Sequence, residues 1–185
     1  MPTDSRPDAG DPLPSPWKEF LSEIDSMLTE PLELYCIGGF VICYFYGQPR
    51  PTGDIDYYTA VPANLNLIAV AVEGSPLAQK YKIRLHHVAV MNLPENYKAR
   101  LTEMFPQMFK KLRLYAPAPY DYILSELERN TSKDRDDAAY IFKKYKLDSQ
   151  VLRESYEKEL RPYLANENRH DTTLKLWIEI FESAK

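Results

Sequence analysis

Residues 34–59 read LYCIGGFVICYFYGQPRPTGDIDYYT, and the punctuation of that stretch decides the fold. Residues 34–37 form an apolar run that ends at two glycines, the pattern of a buried strand. Residues 40–46 are apolar on every side, which predicts a helix packed all round. Residues 48–53 hold two prolines and a glycine and read as a loop. A second strand then begins at Asp54-Ile55-Asp56. Its period of two places both carboxylates on one face and Ile55 on the other.

That order of elements has a chemical meaning. Glycines after a strand let another group approach the backbone, because no Cβ is in the way. The helix that follows presents free N–H groups, which suit phosphate oxygens. Two carboxylates on one strand face are hard oxygen donors, a set that suits Mg²⁺ better than zinc. Phosphates on one side and metal-binding acids on the other is the layout that phosphoryl or nucleotidyl transfer requires.

Gly38-Gly39, a spacer of about a dozen residues, and Asp54-x-Asp56 with Thr52 just ahead resemble the signature of the DNA-polymerase-beta-like nucleotidyltransferase superfamily. The likeness runs to its minimal prokaryotic members, including the abortive-infection toxin nucleotidyltransferases. It covers about residues 32–147. The resemblance implies that Gly38 and Gly39 contact a nucleoside triphosphate and that Asp54 and Asp56 bind Mg²⁺ or Mn²⁺. Arg50 and Thr52 fall in an Arg-x-Thr-x-Asp-x-Asp context shared with those members and join the nucleotide side of the site. A second stretch, SELERNTSKDRDDAAYIFKKY, resembles a helix pair of the same relatives in which a Lys and an Asp complete the active site. Asp134 and Asp137 match its two acids and Arg129 its arginine, so Asp134 is expected to join Asp54 and Asp56 in catalysis. Glu126 stands where the relatives carry the Lys. An equally weighted reading makes Asp134 and Asp137 the acid-rich first turn of a helix capped by Ser132.

The superfamily places a third carboxylate on the next strand, expected here at residues 83–91. That stretch contains His86 and His87 and no acid. Adjacent strand residues point to opposite faces, so only one of the two histidines can reach the site. The expected activity is transfer of an NMP from an NTP to a hydroxyl of a tRNA or a protein. The resemblance adds a toxin–antitoxin or phage-defence setting, with an antitoxin or toxin as partner. The missing acid and Glu126 support a different reading: a catalytically degenerate member that binds nucleotide or a partner subunit.

The remainder of the chain fits an α+β fold, a small mixed β-sheet nucleotidyltransferase core with a helical C-terminal extension. Residues 1–15 are rich in Pro and Asp and read as a disordered lead-in, residues 16–118 as the core, and residues 119–185 as the helical region. Trp17, Phe20, Leu21, Ile24, Met27 and Leu28 form one apolar stripe at helical spacing. Asn64 can cap a helix through Leu65 to Ala71, and a short helix is expected at residues 76–81. Residues 96–105 read as a helix and residues 111–115 as a fourth strand. Further helices are expected at 120–129, 132–145, 149–163 (capped by Asp148) and 166–182.

Charge is uneven along the chain: residues 1–79 carry 11 acids and 3 bases, whereas residues 80–115 carry 8 bases and 2 acids. The basic middle block suits an NTP, a tRNA or an acidic partner; a solvated face is the other reading, because no aromatic residues interleave with it. Cys36 and Cys43 read as small buried hydrophobes. No apolar run approaches the roughly 20 residues of a membrane span, and the opening residues lack the apolar segment of a signal peptide. The expectation is a cytoplasmic protein with no membrane partner.

Overall fold

A computed structural model describes residues 13–63 and 69–183. Its fold is α+β, and the chain divides into two units. The first gathers the described residues up to Val90 together with Thr102–Ala116. The second gathers Met91–Leu101 and the described residues from Pro117 onward. Residues 91–101, read from sequence as part of the core, thus group with the helical part.

In the first unit, α1 (Trp17–Met27) leads to β1 (Leu32–Ile37), α2 (Gly38–Tyr44) and β2 (Asp54–Val61). Then come α3 (Pro76–Tyr81), β3 (Arg84–His87), β4 (Thr102–Met104) and β5 (Leu112–Ala116). Among the described residues the strands form one mixed sheet in the order β3-β2-β1-β5-β4. β1 is central, antiparallel to β2 and parallel to β5, while β2 and β3 run parallel. On β2 the apolar Ile55 and Tyr57 are buried and alternate with half-buried Asp54 and Asp56. Burial of Ile55 and Tyr57 therefore fixes which way both carboxylates point.

The stripe on α1 packs as its spacing predicts. Trp17, Phe20, Leu21 and Ile24 are buried, and the Trp17 ring lies 5.2 Å from Phe40 and 5.0 Å from Tyr44. This contact anchors α2 and with it the two glycines at its start. Asp25 ties the same helix to the sheet. Its carboxylate accepts N–H bonds from Lys110, Lys111 and Leu112, at 3.1, 2.7 and 2.7 Å.

Two expectations about residues 83–105 are corrected. The helix read at residues 96–105 is a 3₁₀ turn at Tyr97–Arg100 followed by β4. Met104 is buried and β4 pairs antiparallel with β5, so long-range strand pairing overrides the local helical spacing. The strand read at residues 83–91 ends at His87, with one more ladder bond from Val88 N–H to the Tyr57 carbonyl at 2.8 Å. Val90 beyond it is exposed, so nothing apolar rewards further pairing. The helix expected from Asn64 through Ala71 falls largely on residues 64–68 and the lead-in largely on residues 1–12, which lie outside the described residues.

The second unit is helical: α4 (Pro119–Ser125), α5 (Ser132–Lys144), α6 (Ser149–Ser155) and α7 (Glu167–Ser183). The cap of α5 is Thr131, not Ser132. Thr131 Oγ1 accepts the Asp134 N–H while the Asp134 carboxylate accepts the Thr131 N–H, a reciprocal capping box. Asp148 caps α6 as expected. The long helix read at 149–163 changes type after Ser155, to a π turn at Tyr156–Leu160 and a 3₁₀ turn at Arg161–Tyr163. Pro162 lacks the N–H that an α-helix needs there. Trp177 is buried and its indole N–H donates to Asn130 Oδ1 at 2.9 Å, tying α7 to the turn before α5. Among the described residues no helix is long and apolar enough to cross a membrane.

The Asp25 clamp predicts a pH-dependent contribution to stability. Burial raises the Asp25 pKa, but the N–H groups of Leu112, Lys111 and Lys110 more than offset it and hold the carboxyl below its usual value. The stabilisation is therefore complete above the ordinary Asp pKa and fades as pH falls through the lower, folded-state pKa. Asp25→Ala is expected to lower unfolding free energy by about 1–3 kcal/mol at neutral pH. In urea titrations, the gap between variant and wild type should close below about pH 4. A gap that stays constant down to pH 2 would remove the clamp from the explanation.

Candidate active site

α2 begins at Gly38 itself. Gly38 has φ of +69°, in the left-handed region that side chains disfavour. A Cβ at Gly38 would lie 2.6 Å from Asp56 Oδ2, and one at Gly39 would lie 2.5 Å from Thr52 Oγ1 and 3.5 Å from Arg50 Nη1. The glycines thus make room for groups of this chain: the second acid of Asp-x-Asp, and the threonine and arginine of the loop before it. The fold brings Gly38, Gly39, Arg50, Thr52, Asp54 and Asp56 to one place, at the start of α2 and β2.

Each carboxylate has a defined set of partners. Thr52 Oγ1 stands 3.4 Å from Asp54 Oδ1, and Arg84 Nη2 stands 3.3 Å from Asp54 Oδ2. His86 Nδ1 lies 2.7 Å from Asp56 Oδ1, while Oδ2 faces Gly38. The side chains of Asp54 and Asp56 are 30% and 17% exposed, so both carboxylates remain open to a ligand. His87, on the opposite side of the strand, packs against the Tyr57 ring at 5.2 Å between centroids.

The pairs Asp54–Arg84 and Asp56–His86 follow from register. In the parallel β2–β3 ladder Asp54 stands opposite Arg84 and Asp56 opposite His86. Bases therefore occupy the strand face from which a third carboxylate was expected. Sequence reading singled out the histidines but missed Arg84. Its signal was present in the Arg84-x-His86 spacing, which repeats that of Asp54-x-Asp56 with nitrogen-bearing side chains. Pairing the two motifs requires the register.

The donor set is compatible with a hard divalent cation. Two half-buried carboxylates project from one strand face, and a backbone without Cβ lies against one of them. Among the described residues no group of three or more His, Cys, Asp or Glu side chains could hold a metal ion. Mg²⁺ does not need such a group, since it keeps several waters and binds through one or two carboxylates plus substrate phosphates. Asp54 and Asp56 would hold such an ion.

Asp134 and Asp137 belong to the second unit and are both buried on α5. Asp134 accepts from Arg129 Nη2 at 2.6 Å and Nε at 3.2 Å, besides closing the capping box. Burial works against its ionisation, yet Arg129 and Thr131 hold its carboxyl below the usual range. Glu126, beside Arg129 at 2.7 Å, goes the other way. Burial pushes it up to about 7, opposed by Arg129 and reinforced by the charges of Asp134 and Asp137.

A family model described as "Nucleotidyltransferase of unknown function (DUF6036)" matches residues 18–185. Searches of curated proteins and of solved structures returned no match.

Two stability measurements test this geometry. Gly38→Ala is expected to cost about 1–3 kcal/mol in urea unfolding, from backbone strain and the Asp56 contact. Gly53→Ala, with nothing within 4 Å of the added Cβ, should stay within about 0.5 kcal/mol of wild type. Equal effects at both glycines would contradict the close approach. For Glu126 the sign is opposite to that of Asp25: a raised carboxyl favours the folded state at low pH. The wild type should lose stability relative to Glu126→Gln as pH rises from about 4.5 to about 7, and the difference should level off above that. Parallel melting temperatures from pH 4 to 8 would refute this.

Proposed function

The chain belongs to this nucleotidyltransferase family, which implies a nucleoside triphosphate substrate, and we propose that it is a metal-dependent enzyme with its centre at Asp54 and Asp56. The observation that carries the proposal is the seating of Asp56 against Gly38, with Asp54 beside it on the same strand face. Asp54 and Asp56 hold Mg²⁺ or Mn²⁺. When bound, such an ion supplies positive charge to the phosphates and orients them.

The chain's own groups then have separate tasks. The backbone at Gly38 and Gly39 forms the wall against which phosphate oxygens lie. Arg50 adds positive charge on that side, and Thr52 steadies Asp54 through its hydroxyl. An acceptor hydroxyl, on a tRNA or a protein, attacks the α-phosphorus in line. The new O–P bond replaces the bond to the β-phosphate bridge, pyrophosphate departs, and the hydroxyl proton passes to solvent. Asp134 serves as a positioning residue for α5, since Arg129 and Thr131 occupy its carboxylate. A toxin–antitoxin or phage-defence setting fits the resemblance to abortive-infection enzymes and belongs to the proposal on that ground alone.

Label transfer tests the assignment. The protein is incubated with each α-labelled NTP, Mg²⁺ or Mn²⁺, total tRNA and a cell lysate. Label is expected on RNA or protein, and Asp54→Ala/Asp56→Ala should lower it by about 100-fold or more. Absence of label from a folded wild-type protein that still binds NTP would replace the enzyme with a nucleotide-binding or partner-binding subunit.

A further inference from the structure

Arg84 lies on β3, an edge strand, directly opposite Asp54 in a parallel ladder, so the two side chains leave the sheet on the same face. Their contact is a single one, Nη2 to Oδ2 at 3.3 Å, without the second parallel bond of a fork-to-fork pair. The other terminal nitrogen, Nη1, is 3.9 Å from Glu73 Oε1, and the Glu73 side chain is 83% exposed. The Arg84 side chain is itself 41% exposed. A pair this open and this loosely joined is weakly held. Most of the five guanidinium N–H donors remain available to another anion.

A divalent cation held by Asp54 would take the carboxylate that Arg84 now contacts, and it would repel the guanidinium. A triphosphate arriving with that cation offers oxygens that a planar guanidinium binds better than an ammonium does. We propose that Arg84 is a displaceable counter-ion: it balances Asp54 in the metal-free chain and passes to the triphosphate when a divalent cation takes the carboxylate. This rests on the reading of Asp54 and Asp56 as the metal-binding pair. It adds to that reading a residue that links cation binding to triphosphate binding.

The exchange predicts effects of opposite sign from one substitution. Mn²⁺ binding is read from the free-ion paramagnetic resonance signal, without nucleotide. Binding of the four labelled NTPs is read by equilibrium dialysis at saturating Mn²⁺, using the tightest. Arg84→Gln should bind Mn²⁺ about two- to fivefold more tightly, because a competitor of the carboxylate is gone. The same variant should bind the NTP about tenfold or more weakly, through loss of a charged phosphate contact. Arg84→Lys, which keeps the charge but not the fork, should hold Mn²⁺ as the wild type does and recover part of the NTP affinity. Glu73→Gln should leave both affinities within about twofold. Circular dichroism and melting temperature establish that each variant is folded.

Weaker or unchanged Mn²⁺ binding in Arg84→Gln would overturn the proposal, and so would unchanged NTP affinity. Both affinities falling together would overturn it as well, since that is the signature of a merely structural residue. A wild type that binds no Mn²⁺, while Asp54→Ala/Asp56→Ala behaves identically, would overturn the metal-binding reading itself along with this one. That result is distinct from failure of the Arg84 exchange alone.

Discussion

Asp56 lies against the first residue of α2 at a distance that only glycine tolerates, and the candidate site depends on that approach. A side chain at Gly38 would collide with the carboxylate, and its backbone there is in a conformation that L-residues disfavour. The same relation is repeated one residue on, where Gly39 makes room for Thr52 and Arg50. Two consecutive glycines therefore set how closely the loop and the second strand can lie on the helix.

Other parts of the first unit keep that approach in place. Trp17 packs on Phe40 and Tyr44, which fixes α2 against α1. Asp25 in turn fixes α1 to the backbone leading into β5. Ile55 and Tyr57 are buried, so β2 cannot rotate Asp54 and Asp56 away from their face without exposing apolar surface. The carboxylates are held by the burial of their neighbours as much as by their own contacts.

The two acids on β2 face nitrogen atoms of β3 side chains. Arg84 and His86 stand opposite Asp54 and Asp56, so each carboxylate has a basic neighbour at its own level of the ladder. In the second unit Arg129 plays the corresponding part for Glu126 and Asp134, but there the carboxylates are almost fully buried and the cluster joins a helix cap. The same residue types thus give an accessible pair on the strand and an enclosed one at the start of α5. Burial is what separates them.

The sequence by itself determined the strand–helix–strand unit, the placement of Asp54 and Asp56 on one face, and the helical character of the chain after Pro119. These follow from local signals: alternation with period two, glycine and proline punctuation, and apolar stripes at helical spacing. It also carried the family resemblance, because Gly-Gly and Asp-x-Asp are short motifs at nearly fixed separation. Only the tertiary structure decided that β2 and β3 run parallel in the register that pairs Asp54 with Arg84. Only it decided that Thr102–Met104 joins β5 as a strand, and that Glu126 and Asp134 are buried. The first two depend on which strands meet and in what register, and the third on how far a carboxylate is buried. Distant parts of the chain fix those quantities through packing, and no local spacing encodes them.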